Sequence, residues 1–212
     1  MKIIIVCSLP GDFDLKQPCR REDFAAMQET YRQANLRQYI PGPTAQATYT
    51  YYCSPLPAAR QTLLQEFGGV AVDDQYSCYL DEPLLPLPEG LKDAAPFDRW
   101  LKEAQKAFRK SKAFSEEYAQ TEAFLNELEH CGKDCVLLSH PERIRLLLTI
   151  LRRRGYLIEK PRLFGFQPLD RIRASKKSLH CGGCQHNCLL SEAKCHIGQD
   201  KERINNTRNR KA

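Results

Sequence analysis

Four cysteines fall within fifteen positions near the carboxyl terminus, in the run Cys181-Gly-Gly-Cys184-Gln-His-Asn-Cys188 with Cys195 beyond it. A chain of 212 residues can bury an ordinary core and needs no local staples, so this C-x2-C-x3-C-x6-C spacing asks for a reason other than packing. Thiolate coordination of a metal supplies one. A C-x2-C turn lets two sulfurs face one tetrahedral zinc ion, and iron–sulfur clusters draw on similar spacings. The spacing predicts one metal centre held by Cys181, Cys184, Cys188 and Cys195, with zinc the expected metal and an iron–sulfur cluster the alternative. His180, His186 and His196 stand close enough to replace the fourth ligand. The competing reading is a disulfide-linked or simply reduced tail.

The net charge of +6 is uneven. From Arg171 to Ala212 there are ten Lys and Arg against three Asp and Glu, leaving 22 basic and 23 acidic residues in the first 170. All the excess basicity therefore sits with the cysteines. It offsets the charge of four metal-bound thiolates or, alternatively, contacts nucleic-acid phosphates. The expected organisation is an α/β body over residues 1–172 and a basic, cysteine-rich metal-binding tail over 173–212. The apolar run Ile3–Cys7 is too short for a signal-peptide core, and no stretch approaches a membrane span, so a cytoplasmic chain without a membrane partner is expected. There, Cys7, Cys19, Cys53, Cys78, Cys131 and Cys135 would stay reduced, mostly as small buried apolar groups.

Period and punctuation give the elements that must position any site in the body. Ile3–Val6, Thr48–Cys53 and Cys135–Leu138 are short apolar or β-branched runs of the kind buried in a mostly parallel sheet. Phe24, Met27 and Tyr31 mark a first helix; Leu63, Leu64 and Phe67 mark a second, stopped at Gly68-Gly69; Trp100, Ala104 and Phe108 mark a third. Ser115 before Glu116-Glu117 reads as the cap of a fourth helix ending at Gly132. Pro141 opens a fifth, whose Ile144, Leu147, Leu148 and Leu151 share a face before Arg152-Arg153-Arg154 and Gly155. Strand–helix alternation of this kind predicts a three-layer α/β/α sandwich with its site at the carboxyl ends of the strands, at Cys7-Ser8, Cys53-Ser54 and Ser139-His140.

Those residues resemble a family. Cys53-Ser54-Pro55-Leu56 with Gln61-Thr62, Leu80-x-Glu82 with Glu89-Gly90, and Ser139-His140 leading to Ile144-Arg145 are similar to successive motifs of the histidine phosphatase, or phosphoglycerate mutase-like, superfamily. Counting the first strand, the likeness covers residues 2 to about 170. In that family an Arg-His-Gly motif ends the first strand, and its histidine attacks phosphorus. Here the resemblance sets Cys7 at the arginine, Ser8 at the nucleophile and Leu9 at the glycine. A second arginine is replaced by Ala58, and Arg60, two positions on, should point away. Serine, cysteine and alanine cannot imitate the planar paired donors that hold a phosphoryl group. Pro141 removes a helix-start N–H, and Glu142 is expected to add a negative charge beside the site.

What the resemblance leaves is His140, with Glu82 at the family's proton-donor position and Glu89 as a lesser candidate. The expected function is a pseudophosphatase: a phosphatase-like scaffold with a binding or regulatory role for a small phosphorylated ligand or a protein partner, without ordinary histidine phosphatase turnover. The alternative is an active phosphoesterase or other hydrolase with a rebuilt site, in which Ser8, or Cys7 with a thiol pKa lowered by nearby helix starts, acts with His140 and Glu82. A second alternative is a nucleic-acid-binding module acting through the tail.

Overall fold

Apolar runs with alternating faces must bury both faces of a sheet, and the computed structural model of the chain shows them doing so. It describes residues 1–176 apart from 39, 41, 43, 44, 46, 47, 92 and 161–165. Cys181, Cys184, Cys188 and Cys195 lie outside the described residues. In chain order the elements are β1 (Lys2–Cys7), β2 (Pro18–Cys19), α1 (Phe24–Arg32), β3 (Thr50–Cys53), α2 (Pro57–Phe67), a 3-10 segment (Asp74–Leu80), β4 (Ala95–Pro96), α3 (Phe97–Phe108), α4 (Lys112–Cys131), β5 (Cys135–Ser139), α5 (Pro141–Arg153), β6 (Tyr156–Glu159) and β7 (Arg171–Lys176).

Five strands form one sheet in the order β3-β5-β1-β7-β6, and β2 and β4 pair as a two-stranded ribbon. The strands β3, β5 and β1 run parallel, and β7 is antiparallel to both of its neighbours. The fold is thus mixed α/β with a mostly parallel central sheet. Side chains alternate across it as the two-residue period requires. Ile3, Ile5, Cys7, Cys135 and Leu137 pack with Phe124, Leu125 and Leu128 of α4 and with Ile144, Leu147 and Leu151 of α5. Val6, Tyr51, Cys53, Val136 and Leu138 pack with Ala59, Leu63 and Phe67 of α2. A third cluster joins α1 to α3 through Phe24, Phe97 and Trp100, and the Trp100 indole N–H donates to the Cys19 carbonyl at 2.9 Å.

Several local expectations change. Ser111, not Ser115, caps α4: its hydroxyl accepts from the Phe114 amide, and the helix starts at Lys112. The signal is the same residue type one turn earlier. Leu64 is 37% exposed rather than buried with Leu63, because its face of α2 looks outward. The body does not stop at residue 172. β7 continues to Lys176 inside a compact unit spanning Met1–Lys177, since Ala174 pairs with Ile3 and with Ile158 in the sheet. Of the six cysteines described, all are free; Cys7, Cys19, Cys53 and Cys135 are buried, and Cys78 and Cys131 are exposed. No helix among the described residues is long and apolar enough to cross a membrane.

Candidate functional site

Strand register assembles the site. Cys7 on β1 is level with Ser139 on β5, and Cys53 on β3 is level with Leu138. The residues immediately after these strand ends, Ser8, His140 and Ser54, therefore emerge side by side. Backbone bonds continue the ladder past the strands: the Ser8 amide donates to the Ser139 carbonyl at 2.9 Å, and the Ser54 amide donates to the Leu138 carbonyl at 3.0 Å. His140 lies between the two hydroxyls, with Nδ1 3.1 Å from Ser8 Oγ and Nε2 3.2 Å from Ser54 Oγ. It precedes Pro141 at the start of α5 but makes no capping bond there. Both ring nitrogens instead face serines, which fits a neutral imidazole with one donor and one acceptor nitrogen. Burial, aided by the Arg32 guanidinium, holds His140 in that neutral form by pushing its pKa down to about 4.

A cavity of about 110 Å³ opens over this group, lined in part by Ser8, Tyr31, Arg32, Ala58, Glu82 and His140. That space holds a few water-sized groups. Glu82 comes from the loop after the 3-10 segment, and three bonds clamp its approach. The Ser139 hydroxyl donates to the Leu80 carbonyl at 2.6 Å, Arg143 Nε donates to the Asp81 carbonyl at 2.8 Å, and Arg32 donates to the Asp81 carboxylate at 2.7 Å. Burial pushes the Glu82 carboxyl up to about 7, against Arg32 and with Asp81, so it can hold a proton near neutrality. The Glu82 charge in turn, together with burial, raises the Tyr31 phenol. Arg32 was not legible as a site residue. A basic residue in the last turn of a helix reads as a partner of the helix dipole, and only the tertiary placement of α1 brings it here.

The surroundings limit the chemistry. Arg32 is the cavity's cation, and its guanidinium is already engaged by Asp81 and, at 3.0 Å, by Glu29. Ala58 stands in the wall, while Arg60 turns away to pair with Asp74. The amide N–H groups nearest Ser8 are spent: Ser8 binds the Ser139 carbonyl, Leu9 binds Thr62 Oγ1 at 3.0 Å, and Pro10 has none. Neither residue 8 nor residue 9 can thus donate to a developing oxyanion. Cys7 departs from expectation. Burial, then the Asp170 and Glu82 carboxylates, push its thiol up to about 12, so it is no thiolate at neutral pH. Glu142 also departs. Its buried carboxylate is held by Arg109 and Arg145, away from this cavity, and Glu89 is exposed.

No group of three or more His, Cys, Asp or Glu arranged to hold a metal occurs among the described residues. Compared with known proteins, the chain matches no family model, no curated protein and no solved structure.

Proposed function

We propose that this chain is a degenerate histidine phosphatase-like protein, a three-layer α/β/α sandwich of phosphoglycerate mutase type whose site serves binding or regulation rather than phosphoryl transfer. One observation carries the reading. The only cation lining the His140 cavity among the described residues, Arg32, is committed to Asp81 and Glu29, while Cys7, Ser8 and Ala58 occupy the other positions where the resemblance expects phosphate chemistry. A phosphoryl dianion would enter a site with no free compensating charge and a near-neutral carboxyl. That charge balance, with Arg32 already neutralised by two carboxylates, suits a neutral or singly charged oxygen ligand better. Assay against a broad panel of phosphomonoesters should give no turnover above that of a His140→Ala variant. Robust turnover lost in both Ser8→Ala and His140→Ala would overturn the reading.

The 3.1 Å contact between Ser8 Oγ and His140 Nδ1 favours a second reading, a hydrolase with Ser8 as nucleophile, His140 as base and Glu82 as proton donor. Its weakness is the commitment of the Ser8 and Leu9 amides. Acylation of Ser8 by an activated ester, detected by mass spectrometry, discriminates between the two.

For the tail, the proposal is a single zinc held by the thiolates of Cys181, Cys184, Cys188 and Cys195, with an iron–sulfur cluster as the alternative and nucleic-acid contact through the basic residues as a secondary role. Elemental analysis with a visible spectrum of freshly purified protein should give one zinc per chain and no charge-transfer bands. Cys184→Ser should lose that metal and leave the unfolding of the body unchanged; full retention of metal when all four cysteines are replaced would remove the proposal.

A further inference from the structure

A second cavity, of about 440 Å³, shares Phe166 with the first. Its size is that of a small-molecule site. Three of its lining residues, Arg145, Thr149 and Arg152, are spaced four and three apart on α5 and so share one helix face. Arg109, just past the end of α3, and Lys160, just past β6, bring two more cations to the same space. Against these four cations the lining offers one carboxylate, Glu142, which is buried and already paired with both Arg109 and Arg145. Arg152 and Lys160 pair with no carboxylate among the described residues. The crowding is costly to the free protein: burial and the neighbouring Arg152 and Arg145 lower the Lys160 pKa, and burial with Arg109 lowers that of Arg145. The rest of the wall is apolar, with Phe108, Phe114, Leu146 and Phe166. The Phe166 ring receives both Lys160, at 4.8 Å, and Arg145, at 5.7 Å.

We infer that this cavity binds a small organic anion with two or more negative charges and an aromatic or aliphatic body. The charges would sit between Arg145, Arg152 and Lys160, where arginine forks suit phosphate or carboxylate groups, and the body would lie against Phe108, Phe114 and Leu146. The surplus of cations supplies the attraction, and the apolar wall excludes a bare inorganic ion as the best occupant. These cations belong to neither the Ser8–His140 group nor the tail, so the site stands whether or not Ser8 turns over a substrate.

The test is calorimetric titration of the full chain with metal-free ATP and, separately, with pyrophosphate. ATP should bind saturably and more tightly than pyrophosphate, with affinity falling as salt rises. Arg152→Ala and Lys160→Ala, which remove cations that no described carboxylate pairs with, should each weaken ATP binding by about tenfold or more. Neither should lower the melting temperature, and the double variant should raise it by relieving repulsion. Absence of saturable binding of either probe overturns the site. So does binding unchanged in the double variant, which would place the anion elsewhere, for instance on the basic tail. Equal affinity for ATP and pyrophosphate would overturn the role of the apolar wall.

Discussion

His140 and Glu82 face one cavity but respond to acid in opposite directions. The folded His140 resists protonation down to about pH 4, whereas an unfolded histidine takes a proton near its ordinary value. The unfolded state therefore binds more protons between those values, and His140 withdraws stability as pH falls through that window. Glu82 does the reverse. Its folded form keeps a proton up to about pH 7, so its contribution is present in acid and is lost as pH rises from the ordinary carboxylate range toward neutrality. The two slopes overlap between about pH 4.5 and 6.5 and largely cancel. Glu82→Gln should expose the histidine slope, with stability relative to wild type falling by roughly 2–3 kcal/mol on acidification; His140→Asn should expose the opposite slope. Urea titrations across that pH range, read as differences from wild type, check both, and parallel curves for all three proteins would exclude the opposed pair. Glu82 was placed only by the resemblance, whereas the position of His140 could be read from the chain, because Ser139-His140 ends a strand. Their protonation could not, since it depends on burial and on Arg32, which arrives from a helix fifty residues before Glu82 in the chain.

Among the elements, α5 does the most to organise the molecule, through both faces and both ends. Its apolar face fills one side of the sheet, its first residue follows His140, and its buried Arg143 ties it to its neighbours. Arg143 donates to the Asp81 carbonyl, to Thr121 Oγ1 at 2.8 Å and to the Glu117 carboxylate at 2.5 Å, so one guanidinium joins α4, α5 and the loop that carries Glu82. Arg143→Met should cost about 3 kcal/mol or more, by leaving three acceptors unmet. It should also speed amide exchange at Asp81 and Glu82 ahead of the strands. A loop as protected as in wild type would show that Ser139 and Arg32 suffice to hold it. The existence and face of α5 were plain from its period, its opening proline and its closing basic run. The bonds of Arg143 were not, because a charged residue among apolar ones on a helix usually marks its solvent side. The two-residue strands β2 and β4 also left no periodic trace, being too short to repeat, and in the 3-10 segment only Leu80 is buried, so no apolar stripe marks it.

On the scale of the whole molecule, β7 decides where the body ends. It pairs with β1 on one side and β6 on the other, so the antiparallel half of the sheet cannot form without it. A chain ending at Lys177 should unfold in one cooperative transition close to that of the full body, and one ending at Asp170 should not fold cooperatively. Circular dichroism during thermal unfolding distinguishes them; a cooperative transition for the shorter chain would mean that β7 is dispensable. The parallel half was legible because continuous apolar runs announce buried strands. β7 was not: Arg171, Arg173 and Lys176 make it read as the start of the basic tail, although Ile172 and Ala174 alternate with them into the core.

The central position of β1 has a consequence for how the protein is made. Its two sheet partners are β5 and β7, which begin more than 130 residues later in the chain. At roughly 5–20 residues per second, a ribosome needs about 6–26 s to make the chain between β1 and β5. During that interval Ile3, Ile4, Ile5 and Val6 have synthesised neighbours but none of their own sheet partners, and any premature pairing must later be undone. Expression at a slowed elongation rate should therefore lower the soluble yield, and recruitment of a chaperone to the nascent chain should be greatest before Ser139 has left the ribosome.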